Sequence, residues 1–212
     1  MMCKLGRIIN LNLKKLKLLI FILLISVSSE LFSFEAENSN DLLYKNDSVL
    51  LDLTKEILTA IKDKDYKQLT EYIHPEDGIR FSPYGFIDTA NDVTATRSTF
   101  RLNAYINKKR VWGYFDGSGD PIKMTSKEYF KRFVYDADFL NAEKTSLNVC
   151  LGSGNSQNNI LAIYDNLPFT ESYFSGFDEK FGGMDWRALR LVFKEYEGEY
   201  YLVAIVHDEW TI

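Results

Sequence analysis

The chain has few of the residues that build disulfides and metal sites. Its 212 residues include two cysteines, Cys3 and Cys150, and two histidines, His74 and His207. No cysteine pair has zinc-site spacing, and the histidines do not have the separation of metal ligands on one element. The sequence therefore predicts no metal and no cofactor, and a fold that depends on its hydrophobic core for stability.

Two glycine-rich segments lack the neighbours that would make them nucleotide-binding loops. Gly117-Ser-Gly119 and Gly152-Ser-Gly154 are not followed by the Lys-Ser/Thr pair of a phosphate-binding loop, and neither has a dinucleotide fingerprint. We expect both segments to be turns. The Gly-x-Ser-x-Gly elbow is absent as well. The common nucleotide-binding and serine-hydrolase classes are therefore excluded.

An apolar run long enough to span a membrane is also missing. The run from Leu18 to Ile25 falls short of the ~20 residues that a stable transmembrane helix needs. Five cations precede this run and small residues follow it, which is typical of a secretory signal peptide, here cleaved after Ser29. An uncleaved N-terminal membrane anchor is the alternative. We expect a signal peptide over 1–29, a flexible tether over 30–46 and a single domain over 47–212, exported to the bacterial periplasm or the extracellular space.

Positive charge becomes scarce once the predicted leader is removed. Five of the 25 Lys and Arg residues and none of the 30 Asp and Glu residues lie in 1–29, which leaves 20 cations, 30 anions and a net charge of −10. Such a surface repels phosphate backbones, so nucleic acid is not expected as a partner. Anionic membrane surfaces are disfavoured for the same reason.

The sequence contains several helix signals. Apolar residues from Leu50 to Ile61 recur at helical spacing, and a second helix is expected to begin at Asp65, whose carboxylate can cap it. Thr125 and Glu128 form a capping box ahead of a third helix. The stretch 97–105 is expected to form a further short helix.

Strand signals dominate the last third of the chain. The strongest pair, 186–196 and 200–207, is joined by Glu197-Gly198 and Glu199 and has the alternation of an antiparallel hairpin. Other β-prone segments predict strands at 79–81, 111–115, 147–151, 160–164 and 170–174. Helices followed by such strands predict an α+β fold.

Five segments carry a resemblance to a known family: 72–84 (YIHPEDGIRFSPY), 112–119 (WGYFDGSG), 152–155 (GSGN), 183–187 (GMDWR) and 205–212 (IVHDEWTI). The chain resembles a group of bacterial exported proteins in the nuclear transport factor 2-like superfamily. That resemblance implies N-terminal helices packed on a strongly curved antiparallel sheet, a cone-like fold with an apolar pocket at its open end. It also implies homodimer formation through the sheet. It implies no particular reaction, because members use the pocket for binding or for catalysis.

The histidines and one arginine are the candidates for chemistry. Histidine is the side chain that titrates nearest neutral pH in general, so His207 is a candidate acid or base together with Asp116. The structural alternative is a histidine that closes a strand end by bonding to backbone. Arg187 alternates in register with Leu189 and other core-type residues, which makes it a candidate for an inward guanidinium that binds an anion or a buried acid. A strand-end position exposed to solvent is the alternative.

Further residues are candidates for ligand binding. Arg80 is expected on a short strand, where it would bind a ligand or pair with Asp77 or Asp88. Trp112 and Trp210 could form a stacking lip for a ring or sugar, although aromatic residues of this kind more often lie in a core. His74 is expected at a helix end and is assigned to the same ligand-binding set.

Three functions remain open from the sequence. The favoured hypothesis is a non-enzymatic envelope or secreted module that binds an unknown small molecule or protein. The second is a small pocket enzyme of the hydrolase, isomerase or dehydratase type that uses His207 with a carboxylate. The third is an inhibitor or immunity-type partner whose acidic surface complements a basic target.

Overall fold

The computed structural model describes residues 47–104, 106–155 and 157–211 and confirms a mixed α+β fold. The predicted signal peptide and tether lie outside these residues. Within them, no helix has the length and apolar character needed to cross a bilayer.

The helices predicted from the sequence form in the first half of the domain. Helix α1 covers 47–62 and α2 covers Tyr66–Tyr72, where the Asp65 carboxylate accepts from the Gln68 backbone N–H. Helix α3 covers Arg97–Asn103. Helix α4, Ser126–Tyr129, begins at the predicted capping box and continues as a π-helical turn, Phe130–Val134.

The strands form one six-stranded sheet and a separate hairpin. Their bounds are β1 Ile79–Ser82, β2 Val93–Ala95, β3 Arg110–Tyr114, β4 Pro121–Met124, β5 Lys144–Leu147, β6 Phe169–Phe174, β7 Arg187–Tyr196 and β8 Glu199–Glu209. The large sheet has the order β2-β1-β8-β7-β6-β5, and β3 pairs with β4 alone. The prediction of a wholly antiparallel sheet is wrong at one place, because β1 runs parallel to β8. A parallel neighbour needs a long connection, and here the whole chain between β1 and β8 supplies it.

The last hairpin is the strongest confirmed prediction. Strands β7 and β8 pair antiparallel from Arg187↔Glu209 to Tyr196↔Glu199. The two residues between them, Glu197 and Gly198, have φ of 53° and 85°. Two consecutive positive φ values are those of a type I′ turn, whose twist matches the flanking strands.

Two strand predictions are wrong. The segment predicted at 160–164 forms a short helix, α5 (Ile160–Ile163), in which only Ile160 is buried. The strand predicted at 147–151 lies earlier, at β5, because Asn148 adopts a left-handed conformation with φ of 57° and ends the strand there. Both errors come from local turn chemistry of asparagine, which can override β-prone composition.

Both faces of the six-stranded sheet are covered. On one face, Leu189, Leu191 and Phe193 join the helices and the β3–β4 hairpin in the larger core. On the other face, a smaller apolar cluster forms where the loop after β1 and the segment around α5 meet the sheet; it comprises Ile87, Ile160, Phe169, Val192, Val203, Ala204 and Val206. Alternate residues of β7 and β8 are therefore buried on opposite sides, and neither face is left to water.

The two glycine-rich segments have different structures. Gly117 and Gly119 have positive φ and form the predicted turn between β3 and β4. Gly152 and Gly154 instead lie against the Trp186 indole, and an added Cβ would come within 2.6 Å and 2.9 Å of the ring. The second pair is therefore required for close packing and not for a turn.

Candidate functional site

A cleft of about 430 Å³ opens beside the end of β1. Its walls come from the loop that follows β1, from the end of β3 with its turn, and from the segment after Gly154. The lining residues are Pro83, Tyr84, Phe86, Asp88, Asp92, Gly113, Tyr114, Phe115, Asp116, Gly117, Asn155 and Gln157. Three are aspartates and none is Lys, Arg or His, so the cleft has an acidic interior.

Asp92 is the buried acid of this cleft. The residue is 9% exposed, and its Oδ2 accepts hydrogen bonds from Ser82 Oγ at 2.5 Å and from the Asp88 backbone N–H at 3.0 Å. Burial raises the pKa of Asp92 to about 6, because desolvation outweighs these two hydrogen bonds and the attraction of the Arg80 charge. Within the described part of the chain, no hydrogen bond reaches its other oxygen, Oδ1, which lies toward Gly113 in the cleft wall.

Asp116 and Asn155 also line the cleft, and both bond to Thr211. Thr211 Oγ1 donates to Asp116 Oδ2 at 2.5 Å, and the Asn155 side-chain amide donates to the Thr211 carbonyl. These bonds fix the C-terminal residues after β8 against the turn after β3. The wall of the cleft is therefore held by side chains distant in sequence.

Aromatic rings line the same cleft as the acids. Tyr84 is nearly buried, and burial raises the pKa of its hydroxyl. Phe86 and Tyr114 are about half exposed, at 51% and 47%, so their rings are available to a bound molecule. Rings next to carboxylates suit a cation, which both groups attract.

His207 lies behind the part of the cleft wall that Pro83 forms. The side chain is fully buried; its Nδ1 is 3.1 Å from the Pro83 carbonyl oxygen and its Nε2 is 3.2 Å from Asp136 Oδ1. Both partners can only accept when Asp136 is ionised, so both hydrogen bonds form when the ring carries two protons. The carboxylate partner of His207 is thus Asp136, whereas the sequence-based hypothesis named Asp116.

Arg187 belongs to the same charged cluster. Its Nε is 2.8 Å from Asp136 Oδ2 and 3.2 Å from Glu209 Oε2, and Arg132 donates to both oxygens of Glu209. Burial raises the pKa of Asp136, but the hydrogen bond from His207 and the nearby guanidiniums outweigh it and hold the pKa below its ordinary value. Although Asp136 has an exposed backbone, its side chain is only 13% exposed.

The side chains of this cluster are close enough to share a metal ion, but the cluster lacks the net negative charge that would attract one. Ligand atoms of Asp136, His207 and Glu209 lie within 4.8 Å of one another. Arg187 and Arg132 already neutralise the two carboxylates, so a divalent cation would enter a site that carries no net negative charge. We therefore interpret the cluster as an ion-pair network that supports the cleft wall from behind.

The structure places the other predicted site residues apart from one another. Arg80 donates to the Thr89 carbonyl at 3.4 Å. Trp112 is buried, stacks on Tyr129 at 4.0 Å and donates its indole N–H to the Met124 carbonyl. Trp210 is 40% exposed. None of these three lines the cleft, and Trp112, being in the core, cannot form a stacking lip at the surface.

His74 is buried at the end of α2 and is held as a neutral imidazole. Its Nδ1 accepts from the backbone N–H groups of Asp77 at 3.0 Å and Glu76 at 3.3 Å. Burial lowers the pKa of His74, and the nearby Asp77 carboxylate only partly opposes this effect. Its hydrogen bonds cap a turn, and it does not line the cleft.

Of the residues that the sequence selected, Asp116 alone lines the cleft. Asp92 and Asn155 were not selected, because a single aspartate in a loop and an asparagine near a glycine pair have no distinctive spacing. Asp136 was missed as the partner of His207 because the two lie 71 positions apart.

Comparisons with protein-family models, with curated proteins and with solved structures found no match to this chain.

Proposed function

We propose that the protein is a non-enzymatic binding module whose acidic cleft takes a small organic cation. The observation that carries this proposal is the buried Asp92 carboxylate, which lines a cleft that has no Lys, Arg or His among its lining residues. The positive charge of Arg80 offsets the burial of this carboxylate only in part, since the pKa of Asp92 stays raised, and a buried carboxylate that is only partly compensated is costly. An ammonium group placed beside it would relieve that cost.

An organic cation suits the cleft better than a metal ion. Among the described residues, the one group of acids and histidines close enough to share an ion is the Asp136 cluster, outside the cleft. The cleft instead combines separated carboxylates with the exposed rings of Phe86 and Tyr114. Rings and acids together favour an alkylammonium or quaternary ammonium ligand.

The cellular setting and the family form part of the same proposal. The N-terminal signal pattern supports export, and the resemblance carried by the five sequence segments supports membership of the nuclear transport factor 2-like superfamily with a curled, cone-like sheet. The pocket-enzyme hypothesis has less support, because the partners of the buried His207 are the Pro83 carbonyl and Asp136. The inhibitor hypothesis draws only on net charge.

Calorimetry with putrescine, choline and neutral 1,4-butanediol tests the proposal. We expect at least one of the two cations to bind and the diol not to bind. Asp92→Asn keeps the side-chain shape but removes the charge, and it should weaken cation binding at pH 7 by about tenfold, or ~1.4 kcal/mol. Asp63→Asn, an exposed aspartate on the α1–α2 turn, is the matched control and should change nothing.

The pH dependence gives a second test of the same site. Since the pKa of Asp92 is about 6, its carboxylate is largely protonated at pH 5 and ionised at pH 7. Hydrogen bonds from Asn91 lower the pKa of Asp88, so that acid stays charged throughout this range. Cation affinity should therefore rise from pH 5 to pH 7 and then level off. Equal binding of the diol, or an unchanged pH profile in Asp92→Asn, would contradict the proposal.

A further inference from the structure

A second cavity, of about 230 Å³, lies where the end of α1 meets the segment 127–135. Its floor is apolar and aromatic, formed by Ile61, Tyr66, Phe130 and Tyr135. Four lysines surround this floor: Lys62, Lys64, Lys127 and Lys131. We call this site the lysine-rimmed pocket. Its chemistry is the opposite of that of the acidic cleft.

Three of the four lysines lack an internal counter-ion. Lys62 pairs with Asp138 at 2.9 Å. For Lys64, Lys127 and Lys131, no carboxylate lies within ion-pair distance in the described part of the chain. In a chain with more acids than bases, a concentration of unpaired cations around one cavity is not expected from composition.

The spacing of two of these lysines costs local stability, whereas the backbone of a third forms a helix cap. Lys127 and Lys131 are four residues apart on the exposed side of α4 and its π-helical continuation, and like charges at this spacing repel by about 0.2–0.5 kcal/mol. Lys64 has a left-handed backbone with φ of 58°, which is uncommon for a residue with a side chain. The left-handed Lys64 ends α1 in a Schellman cap, because the Lys64 N–H donates to the Ile61 carbonyl at 3.1 Å and the Asp65 N–H donates to the Ala60 carbonyl at 2.8 Å. The repulsion between Lys127 and Lys131 is the cost that remains.

The positive field extends beyond the pocket. Lys131 also lines an adjoining groove of about 360 Å³ together with Lys109, Lys123 and Arg132. Two of these are already engaged, since Lys109 lies 3.9 Å from Glu128 and Arg132 pairs with Glu209. Lys123 and Lys131 thus continue the unpaired positive charge along one side of the molecule.

We propose that the lysine-rimmed pocket binds an amphipathic anion, specifically a free aliphatic carboxylate. The apolar floor receives the hydrocarbon chain, and the lysine ammonium groups pair with the carboxylate. A bare inorganic anion would leave the floor unused, and a neutral hydrocarbon would leave the lysines unpaired. The pocket is concave, which favours a single inserted chain over a flat lipid surface. This proposal does not depend on the acidic cleft.

Isothermal titration with sodium octanoate and sodium laurate, below their micellar concentrations, tests the proposal directly. We expect binding that strengthens from octanoate to laurate, because each buried methylene adds apolar contact. Acetate, which has the charge but no chain, should not bind, and neither should 1-octanol, which has the chain but no charge. Raising the salt concentration should weaken octanoate binding because the lysines are exposed.

A charge-removing variant assigns the binding to this pocket. Lys64→Gln with Lys127→Gln should weaken laurate binding at least tenfold. The matched control, Lys55→Gln with Lys67→Gln, removes two exposed lysines outside the pocket and should bind as the unmodified chain does. Urea midpoints for both double variants check that folding is unchanged, which is expected because all four side chains are exposed.

Specific results would overturn the proposal. Equal binding of 1-octanol and octanoate would make the site a plain apolar cavity, and equal binding of acetate would make it a simple charge site. Retention of full laurate affinity in Lys64→Gln with Lys127→Gln would place the ligand elsewhere. Sedimentation with phosphatidylglycerol vesicles, in the absence of octanoate binding, would identify the surface as a membrane contact instead.

Discussion

The two faces of the β7–β8 hairpin carry two charged networks that differ in their exposure to water. On one face, Arg190 pairs with Glu171 and Asp208, and all three side chains are between 0% and 4% exposed. On the other face, Arg187 pairs with Asp136 and Glu209, and its side chain is 25% exposed. The same hairpin thus holds one network that water cannot reach and one that it can.

The difference shows what a buried charge requires. Burial lowers the pKa of Arg190, but the carboxylates of Glu171 and Asp208 outweigh it, so the guanidinium stays charged with a pKa above its ordinary value. The excess negative charge is met by backbone amides, since Glu171 Oε1 accepts from Leu151 and Gly152. Around Arg187, solvent supplies part of that compensation. The buried network should therefore be far less tolerant of change.

Replacement of Arg190 by methionine should have the largest effect. It would leave two buried carboxylates without their cation, and we expect a loss of about 3–5 kcal/mol in the free energy of unfolding. Urea denaturation followed by circular dichroism at pH 7 measures this loss. Arg101→Met, at an exposed site in α3, is the control and should stay within about 0.5 kcal/mol. A loss below 1 kcal/mol in Arg190→Met would show that water enters the buried network.

Asp136→Asn should have an intermediate effect on the half-buried network. It removes a charged acceptor from both His207 and Arg187, for which we expect a loss of about 2 kcal/mol at pH 7. The pKa of Asp136 is lowered in the folded state, so its contribution is present above an unfolded-state pKa of about 4 and is lost as pH falls further. Asp136→Asn should therefore flatten the fall in stability below pH 4.

Measuring the free energy of unfolding below pH 4 tests whether the effect is specific to Asp136 or common to any lost negative charge. Asp52→Asn, which affects an exposed pair with Lys55, should leave both the stability at pH 7 and the stability below pH 4 unchanged. If Asp136→Asn loses as much stability at pH 2 as at pH 7, the pKa of Asp136 is not depressed. The comparison of the two faces would then rest on Arg190 alone.

Local signals in the sequence predicted the helices and the hairpin turn, but they did not predict which charged side chains are buried. The capping box at Thr125, the cap at Asp65 and the Glu197-Gly198 turn depend on a few adjacent residues, and all three are confirmed. Alternation along β7 selected Arg187 as the inward arginine because it assumed that the opposite face is in water. That face is covered by the segments around Ile87 and α5, so Arg190 is the arginine that is fully buried.

The candidate sites were harder to predict, because they depend on contacts between distant segments. Asp92, at the end of the loop after β1, acquires its raised pKa from burial, and no spacing rule records that burial. The lysine-rimmed pocket joins Lys64, after α1, to Lys131 in the π-helical turn. Net charge alone predicted a surface hostile to anions, but net charge does not show how the cations are distributed.

Arg187→Met should have the smallest effect of the three changes on the hairpin. Asp136 would keep its hydrogen bond with His207, Glu209 would keep Arg132, and partial exposure lets water replace some of the lost contact. We expect a loss of about 1 kcal/mol, as for a partly exposed ion pair. A double-mutant cycle with Asp136→Asn should give a coupling energy of similar size. A loss equal to that of Arg190→Met would mean that both networks are closed to water, and the contrast between the two faces would no longer hold.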